Sequence, residues 1–121
     1  MTTTVVLTPT QMYPTRRATL IRTDRGGLLE GAIEINECHK APNGSLVSRF
    51  TVHEQKQAVV TPGDRVFRLK RPNCTNTDFV CLPADPREFP MCNCAKWVEN
   101  AWCLHVDVMR ALQAENLLEK S

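Results

Sequence analysis

Residues 92–105, in the C-terminal half of the chain, read CNCAKWVENAWCLH. They hold four soft donors in the pattern Cys-x-Cys, eight residues, Cys-x-His: Cys92, Cys94, Cys103 and His105. A structural zinc ion takes four thiolate or imidazole donors in a tetrahedron. On an extended chain, residues two apart point to the same side, so the first two cysteines can bind one ion together.

A helix is predicted directly after this segment. Residues 104–118 contain no proline or glycine and place three apolar side chains at helical spacing, Val108, Met109 and Leu112. In mid-helix, residues i and i+2 point apart, so Cys103 and His105 could not share an ion there. We therefore expect Cys103 in the loop before the helix and His105 in the first turn.

This ligand pattern resembles that of the SWIM zinc finger, a family with a Cys-x-Cys…Cys-x-His signature on a strand–strand–helix unit. The resemblance covers residues 65–118, and the strands expected at 65–71 and 78–82 stand where the family has a β-hairpin. It implies one structural zinc ion with four ligands, Cys92, Cys94, Cys103 and His105. SWIM fingers occur in chromatin remodellers, transposases and ubiquitin ligases, so the resemblance implies binding of nucleic acid or of a protein.

Other uses of the cysteines have less support. A catalytic zinc keeps an open position and needs a nearby general base, and the H-x-E…P-C-x-x-C pattern of deaminases is absent. The six cysteines could instead form disulfides. However, the N-terminus lacks the regions of a signal peptide, so we expect an intracellular protein (cytoplasmic, or nuclear in a eukaryote) with reduced thiols. No apolar run approaches the roughly 20 residues of a membrane span.

The preceding part of the chain predicts antiparallel β-structure. Period-2 alternation and β-forming residues indicate strands at 17–23, 28–36, 45–53, 65–71 and 78–82. Turns are expected at Gly26-Gly27, around Pro42-Asn43-Gly44 and at residues 61–64. The alternation places Ile33 and Ile35 on one face of their strand, and Phe67 and Leu69 on one face of theirs.

The expected fold class is α+β, with a small antiparallel β-sheet followed by a ββα zinc-finger module that ends in a C-terminal helix. Residues 1–15 are expected to form a flexible arm, 16–64 a β-rich segment and 65–121 the SWIM-like module. The length of 121 residues fits one compact domain that combines the last two.

Charge gives a weaker indication of function. The net charge of +2 does not by itself indicate nucleic-acid binding. Basic residues nevertheless gather near the zinc motif, and we predict phosphate contacts for Arg65, Arg68, Lys70, Arg71 and Lys96. Trp97 or Trp102 could stack on bases. For the tryptophans, however, the favoured place is the core of the zinc module. The alternative for the basic residues is a solvated strand face.

The remaining cysteines and histidines match no ligand spacing: Cys38, Cys74, Cys81, His39 and His53. We expect them to be buried or incidental, with Cys81 in the core beside Phe79. No nucleophile–base arrangement is apparent, so neither enzyme activity nor a small-molecule substrate is expected. The favoured function is nucleic-acid binding with a structural zinc. A protein-interaction adaptor is the alternative, and a redox-sensitive zinc switch is a third possibility.

Overall fold

The computed structural model describes residues 2–23, 28–41, 44–56, 61–85, 87–100 and 102–119. Its strands are β1 (Thr2–Val6), β2 (Thr15–Arg22), β3 (Glu30–Cys38), β4 (Leu46–Glu54), β5 (Arg65–Lys70), β6 (Thr77–Leu82) and β7 (Met91–Cys92). Its helices are α1 (Ala95–Asn100) and α2 (Leu104–Ala114). The predicted turn at Gly26-Gly27 and the Pro42-Asn43 part of the next loop lie outside these residues. Neither helix of the described ranges has the length and apolarity needed to cross a membrane.

All seven strands form one antiparallel sheet in the order of the sequence, β1 to β7. Each strand therefore pairs with its neighbours along the chain. The pairing continues across the expected boundary at residue 64, because Val52 of β4 lies opposite Leu69 of β5. The β-rich segment and the C-terminal module consequently share one sheet.

The sheet curls around helix α2. This helix contacts β1 at one edge of the sheet, and β6 and β7 at the other. Seven strands about 4.8 Å apart would span roughly 29 Å if the sheet were flat. Helix α2 has 11 residues at about 1.5 Å each, so it is about 17 Å long and shorter than this span in any orientation. Contacts at both edges therefore require a curved sheet, with an inner face towards α2 and an outer face away from it.

The core lies between the inner face and α2. Period-2 alternation directs one side of each strand inward. The pairs predicted to share a face are all buried, Ile33 with Ile35 and Phe67 with Leu69. The helix supplies Val106, Val108, Met109 and Leu112, which are also buried. These side chains belong to one hydrophobic cluster that also includes Cys92 and Cys103.

The expected fold class was wrong. The protein is mainly a seven-stranded antiparallel sheet with two short C-terminal helices, rather than a small sheet followed by a compact ββα finger. The predicted hairpin of β5 and β6 is present. Pairing with β4 adds this hairpin to the larger sheet, which buries Phe67 and Leu69 in the common core.

The N-terminal segment also differs from expectation. Residues 2–6 of the expected flexible arm form β1, which pairs along its whole length with β2. Their sequence, TTTVV, consists of β-branched residues, which favour strands. Val5 is buried in the core, and Leu7 immediately after the strand is buried as well. Burial of these apolar side chains explains why this short segment is ordered.

Two local expectations need correction. Cys81 is half-buried on the outer face rather than in the core, because Val80 and Leu82 take the inward positions of β6. Helix α2 ends at Ala114 rather than near residue 118. Asn116 has a φ of 57°, in the left-handed region that commonly follows a helix end.

Arg16 links the first turn of α2 to the sheet through hydrogen bonds. Its side chain is only 2% exposed. Its Nε donates to a carboxylate oxygen of Glu37 on β3 at 2.7 Å, and its Nη1 donates to Asp107 on α2 at 3.0 Å. The same Nη1 also donates to the carbonyl oxygen of Thr8 at 2.8 Å. One buried cation thus joins β2, β3, α2 and the loop after β1.

Two further arginines hold the chain that follows α2. Arg22 donates to the carbonyl oxygen of Leu117 at 2.7 Å. Arg65 donates to the carbonyl oxygen of Leu118 at 3.0 Å and forms a two-pronged pair with Glu54. Burial opposes ionisation of Glu54, but hydrogen bonds from Arg65 and from the Leu29 amide leave its pKa below the usual value. α2 is therefore secured at both ends.

Candidate metal centre

The four predicted ligands come together at the start of α2. One donor atom each from Cys92, Cys94, Cys103 and His105 lies within 4.8 Å of all the others. Cys92, Cys103 and His105 are buried, and Cys94 is half-buried. No other group of three or more cysteine, histidine, aspartate or glutamate side chains in the described ranges has donors placed to share an ion. All six cysteines are free thiols in the structure.

The first two ligands are positioned by the last strand pair of the sheet. Cys92 lies in β7 opposite Val80 of β6. Asn93 extends this pairing, since its amide donates to the carbonyl oxygen of Phe79 and its Oδ1 accepts from the Phe79 amide at 2.8 Å. The chain then turns at Cys94, whose carbonyl oxygen accepts from Val98 in α1. The thiols of Cys92 and Cys94 are thereby brought to the same site.

The second pair of ligands begins α2. Cys103 is the N-cap residue, with extended backbone angles, and its Sγ accepts a hydrogen bond from the Val106 amide at 3.4 Å. His105 follows in the first turn and is 7% exposed. This arrangement matches the prediction of Cys103 before the helix and His105 in its first turn. The six-residue helix α1, which was not predicted, connects the two ligand pairs.

Phe50 and Asp78 surround the His105 ring. The Phe50 ring packs edge-on against it, with centroids 5.7 Å apart. The Nδ1 atom lies 3.8 Å from the Cys92 Sγ, while Nε2 lies 3.7 Å from an Asp78 carboxylate oxygen. Nδ1 is therefore the nitrogen directed towards the thiols, and Nε2 faces the carboxylate.

The donor set fits a zinc ion. Zinc–sulfur bonds of about 2.3 Å and tetrahedral angles place sulfur ligands roughly 3.8 Å apart. With a zinc–nitrogen bond of about 2.0 Å, a sulfur and a nitrogen ligand lie roughly 3.5 Å apart. The Cys92 Sγ and His105 Nδ1 atoms are 3.8 Å apart, slightly more than this spacing, and all pairs of donors lie within 4.8 Å. Three thiolates and an imidazole are also the ligand types that zinc prefers in structural sites.

The pKa values of two buried thiols are shifted in opposite directions. The Cys92 thiol donates a hydrogen bond to Cys103, and this bond, together with contacts from His105 and the Val106 amide, lowers the pKa of Cys103. The same hydrogen bond and burial raise the pKa of Cys92. Cys103 is therefore the thiol of this pair that most readily becomes a thiolate, the form that binds a metal.

An open cleft borders the metal centre. Its volume is about 1030 Å³, and Cys94, Cys103 and His105 form part of one wall. The other walls come from the loop between β1 and β2, the start of β4 and the segment between β5 and β6. Trp102 also lines this cleft and is 47% exposed, so it is not a core residue. Trp97, in contrast, packs half-buried against the core.

The five basic residues predicted to contact nucleic acid do not form one surface. Arg65 points to the inner side of the sheet and is engaged with Glu54 and the Leu118 carbonyl oxygen. Arg68 and Lys70 line a shallow depression of about 450 Å³ with Arg71. Lys96 lines the cleft, and Arg71 borders both concavities. The predicted set therefore divides between separate parts of the molecule.

Comparisons of the chain with known protein families, curated proteins and solved structures find no match. The metal centre therefore rests on the donor types and their geometry in this chain. The SWIM resemblance rests on the Cys-x-Cys…Cys-x-His motif, which the fold brings into one cluster.

Several residues around the centre were not singled out from the sequence. In the sequence, Asp78 is an ordinary polar residue near the beginning of a predicted strand, and Phe50 is one apolar residue of another strand. The pairing of β4 with β5 and of β5 with β6 brings these two strands to the same site. The local signal that could have drawn attention to Arg16 is a basic residue at an inward position of β2, in phase with the buried Ala18 and Leu20.

Proposed function

We propose that this chain is a zinc-binding protein in which one structural zinc ion supports a partner-binding surface. The cluster of Cys92, Cys94, Cys103 and His105 donors, all within 4.8 Å of one another, carries the proposal. The ion would join β7, the start of α1 and the start of α2. Zinc supplies cross-linking here, and its binding contributes directly to folding.

A structural role is supported by the number and burial of the donors. Four protein ligands complete a tetrahedral zinc shell, whereas catalytic zinc sites keep one position for water or substrate. Cys92, Cys103 and His105 are buried, and their side chains belong to the core or touch it. We therefore propose binding rather than catalysis as the function.

The motif supports a relationship to SWIM zinc fingers, and membership of that family stays a prediction. In this chain the ligand motif follows a hairpin, as the family pattern implies, but the hairpin belongs to a seven-stranded sheet. The position of the ligands between sheet and helix is thus shared, whereas the surrounding fold is larger.

The partner that we propose is a protein. The cleft beside the metal centre is lined by Met12, Tyr13, Arg71 and Trp102, which are residue types enriched in protein interfaces. Nucleic-acid binding stays a prediction that no contact in the described residues supports. Fluorescence anisotropy with labelled single- and double-stranded DNA and RNA at low salt would test it, because phosphate contacts weaken steeply as salt rises.

Metal analysis of the purified protein tests the zinc proposal. We expect one zinc ion per chain in the wild type, and loss of most of it in Cys94→Ser and His105→Ala, since each change removes one of four donors. Cys38→Ser is the matched control, because Cys38 is exposed and outside the cluster. Zinc absent from the wild type, or retained equally by all three variants, would contradict the proposal.

A further inference from the structure

We propose that the cleft beside the metal centre binds a short, acidic and apolar segment of a partner protein. This inference rests on the proposed function and specifies the partner's chemistry. The cleft is formed by several segments that are distant in sequence, and its volume is about 1030 Å³. Small-molecule pockets are typically about 300–1,000 Å³ and enclose most of their ligand. An open cleft at the upper limit of that range suits an extended peptide.

The walls of the cleft concentrate exposed apolar side chains. Met12 is 58% exposed, Leu46 is 49%, Val47 is 53% and Trp102 is 47%. These four side chains come from the β1–β2 loop, the start of β4 and the segment before α2, and all line the same concavity. Apolar groups gathered in this way mark binding sites more often than single exposed side chains do. The segment that fills the cleft should therefore present apolar side chains.

The charges in the cleft favour an acidic partner. Arg71 and Lys96 line it, and no ion pair is found for either among the described residues. The acidic residues of the wall already face cations or donors, since Glu37 pairs with Arg16 and Asp78 faces His105. Arg71 also borders a second depression, which holds Arg68 and Lys70. Carboxylates next to the apolar residues of the partner would meet these free cations.

Single-stranded nucleic acid is a poorer fit to the same cleft. Such sites usually offer successive aromatic platforms along a basic groove. Here the Tyr13 ring packs edge-on against His39, with centroids 5.3 Å apart, and the apolar walls are largely aliphatic. Trp102 is the aromatic side chain of the wall that remains available for stacking. Aliphatic walls match the side chains of a peptide better than the flat faces of bases.

A zinc ion at the metal centre would hold one wall of this cleft in place. Lys96 and Trp102 are each within two residues of a predicted ligand, Cys94 or Cys103. A bound ion would therefore hold the apolar Trp102 side chain and the cationic Lys96 side chain at a constant separation. Preorganised surfaces lose less conformational entropy when a partner binds, which favours affinity.

Selection from a library of random 12-residue peptides displayed on phage, with the zinc-loaded protein as bait, tests the proposal. We expect selected peptides to combine aliphatic or aromatic residues with Asp or Glu. For a synthetic peptide from the selection, Trp102→Ala and Arg71→Glu should each raise the dissociation constant at least about tenfold. Val98→Ala is the control, because Val98 is 76% exposed on α1 but does not line the cleft.

The result that overturns the proposal is absence of enriched peptides, or enrichment of basic peptides, or binding that both cleft variants leave unchanged. Tighter binding of a thymidine oligonucleotide or of dodecanoate than of any peptide, lost in Trp102→Ala, would also overturn it. Zinc content is measured in every preparation. A wild type without zinc contradicts the proposed metal centre, whereas zinc-loaded protein that selects no peptide contradicts only the peptide cleft.

Discussion

Asp78 is the residue that most directly completes the environment of the metal ligands. Its carboxylate faces Nε2 of His105 at 3.7 Å, while Nδ1 of the same ring is directed towards Cys92. That distance is longer than a direct hydrogen bond, so a small approach or a bridging water would be needed to join the two groups. Carboxylates in this position commonly orient a metal-binding imidazole and select its tautomer.

Replacement of Asp78 should therefore weaken zinc binding without abolishing it. We expect Asp78→Ala to raise the zinc dissociation constant by about 10–100-fold, because the His105 ring loses its orienting partner. Asp78→Asn keeps a carbonyl oxygen as acceptor and should have a smaller effect. Competition with a chromophoric chelator measures the affinity, and ¹⁵N NMR of the histidine ring reports whether Nε2 carries the proton in the zinc-loaded protein.

Asp85→Ala is the matched control for this experiment, because Asp85 lies in a loop and its carboxylate bonds only to Arg87 among the interactions found. Equal zinc affinity in Asp78→Ala and in the control, with an unchanged His105 tautomer, would exclude the orienting role of Asp78.

At the scale of elements, helix α2 depends on polar contacts at both of its ends as well as on its apolar face. Arg16 joins its first turn to β3 through Asp107 and Glu37, and Arg22 and Arg65 bind the carbonyl oxygens that follow it. These contacts hold the helix across the inner face of the sheet. The metal ligands Cys103 and His105 lie at the end that Arg16 secures.

Loss of Arg16 should destabilise the fold strongly. In Arg16→Ala, two carboxylates that are largely shielded from water lose their cation, and removal of one partner from a buried ion pair typically costs about 3–5 kcal/mol. Arg17→Ala removes the neighbouring exposed arginine and should change the free energy of unfolding by less than about 0.5 kcal/mol. Urea denaturation of both variants measures this difference.

Equal unfolding free energies for the two variants would show that the buried ion pairs add nothing to stability. If Arg16→Ala does not fold, Arg16→Lys retains the charge but not the forked geometry, and we expect it to lie between the wild type and the alanine variant.

At the scale of the whole molecule, the sequence predicted local features, but it did not predict features that depend on long-range pairing. The ligands were found because Cys92, Cys94, Cys103 and His105 lie within fourteen residues and the helix that follows has a clear apolar period. Most strands were recognised for the same reason, since alternation is a local property.

Features that depend on strand pairing were not predicted. β1 was missed because a run such as TTTVV has no alternation, and its order depends on β2 beside it. The single sheet follows from the pairing of β4 with β5, which joins two segments that were described separately. The cleft could not be foreseen either, because its walls combine the β1–β2 loop, β4 and the metal-binding segment.

Because the metal ligands share one core with the sheet, loss of zinc should lower the stability of the whole chain. Cys92 and Cys103 lie in the same hydrophobic cluster as Phe50, Phe67 and Met109, so the metal-binding segment is not a separate folding unit. Zinc binding to the folded state should therefore stabilise sheet and helices together.

Calorimetric unfolding with and without a zinc chelator tests the structural zinc most directly. We expect one cooperative transition for the zinc-loaded protein and a Tm lower by at least about 10 °C after chelation, because the binding free energy of the ion is lost from the folded state. Cys94→Ser, which lacks one donor, should unfold at the lower temperature and respond little to the chelator. An unchanged Tm of the wild-type protein after complete zinc removal would contradict the account.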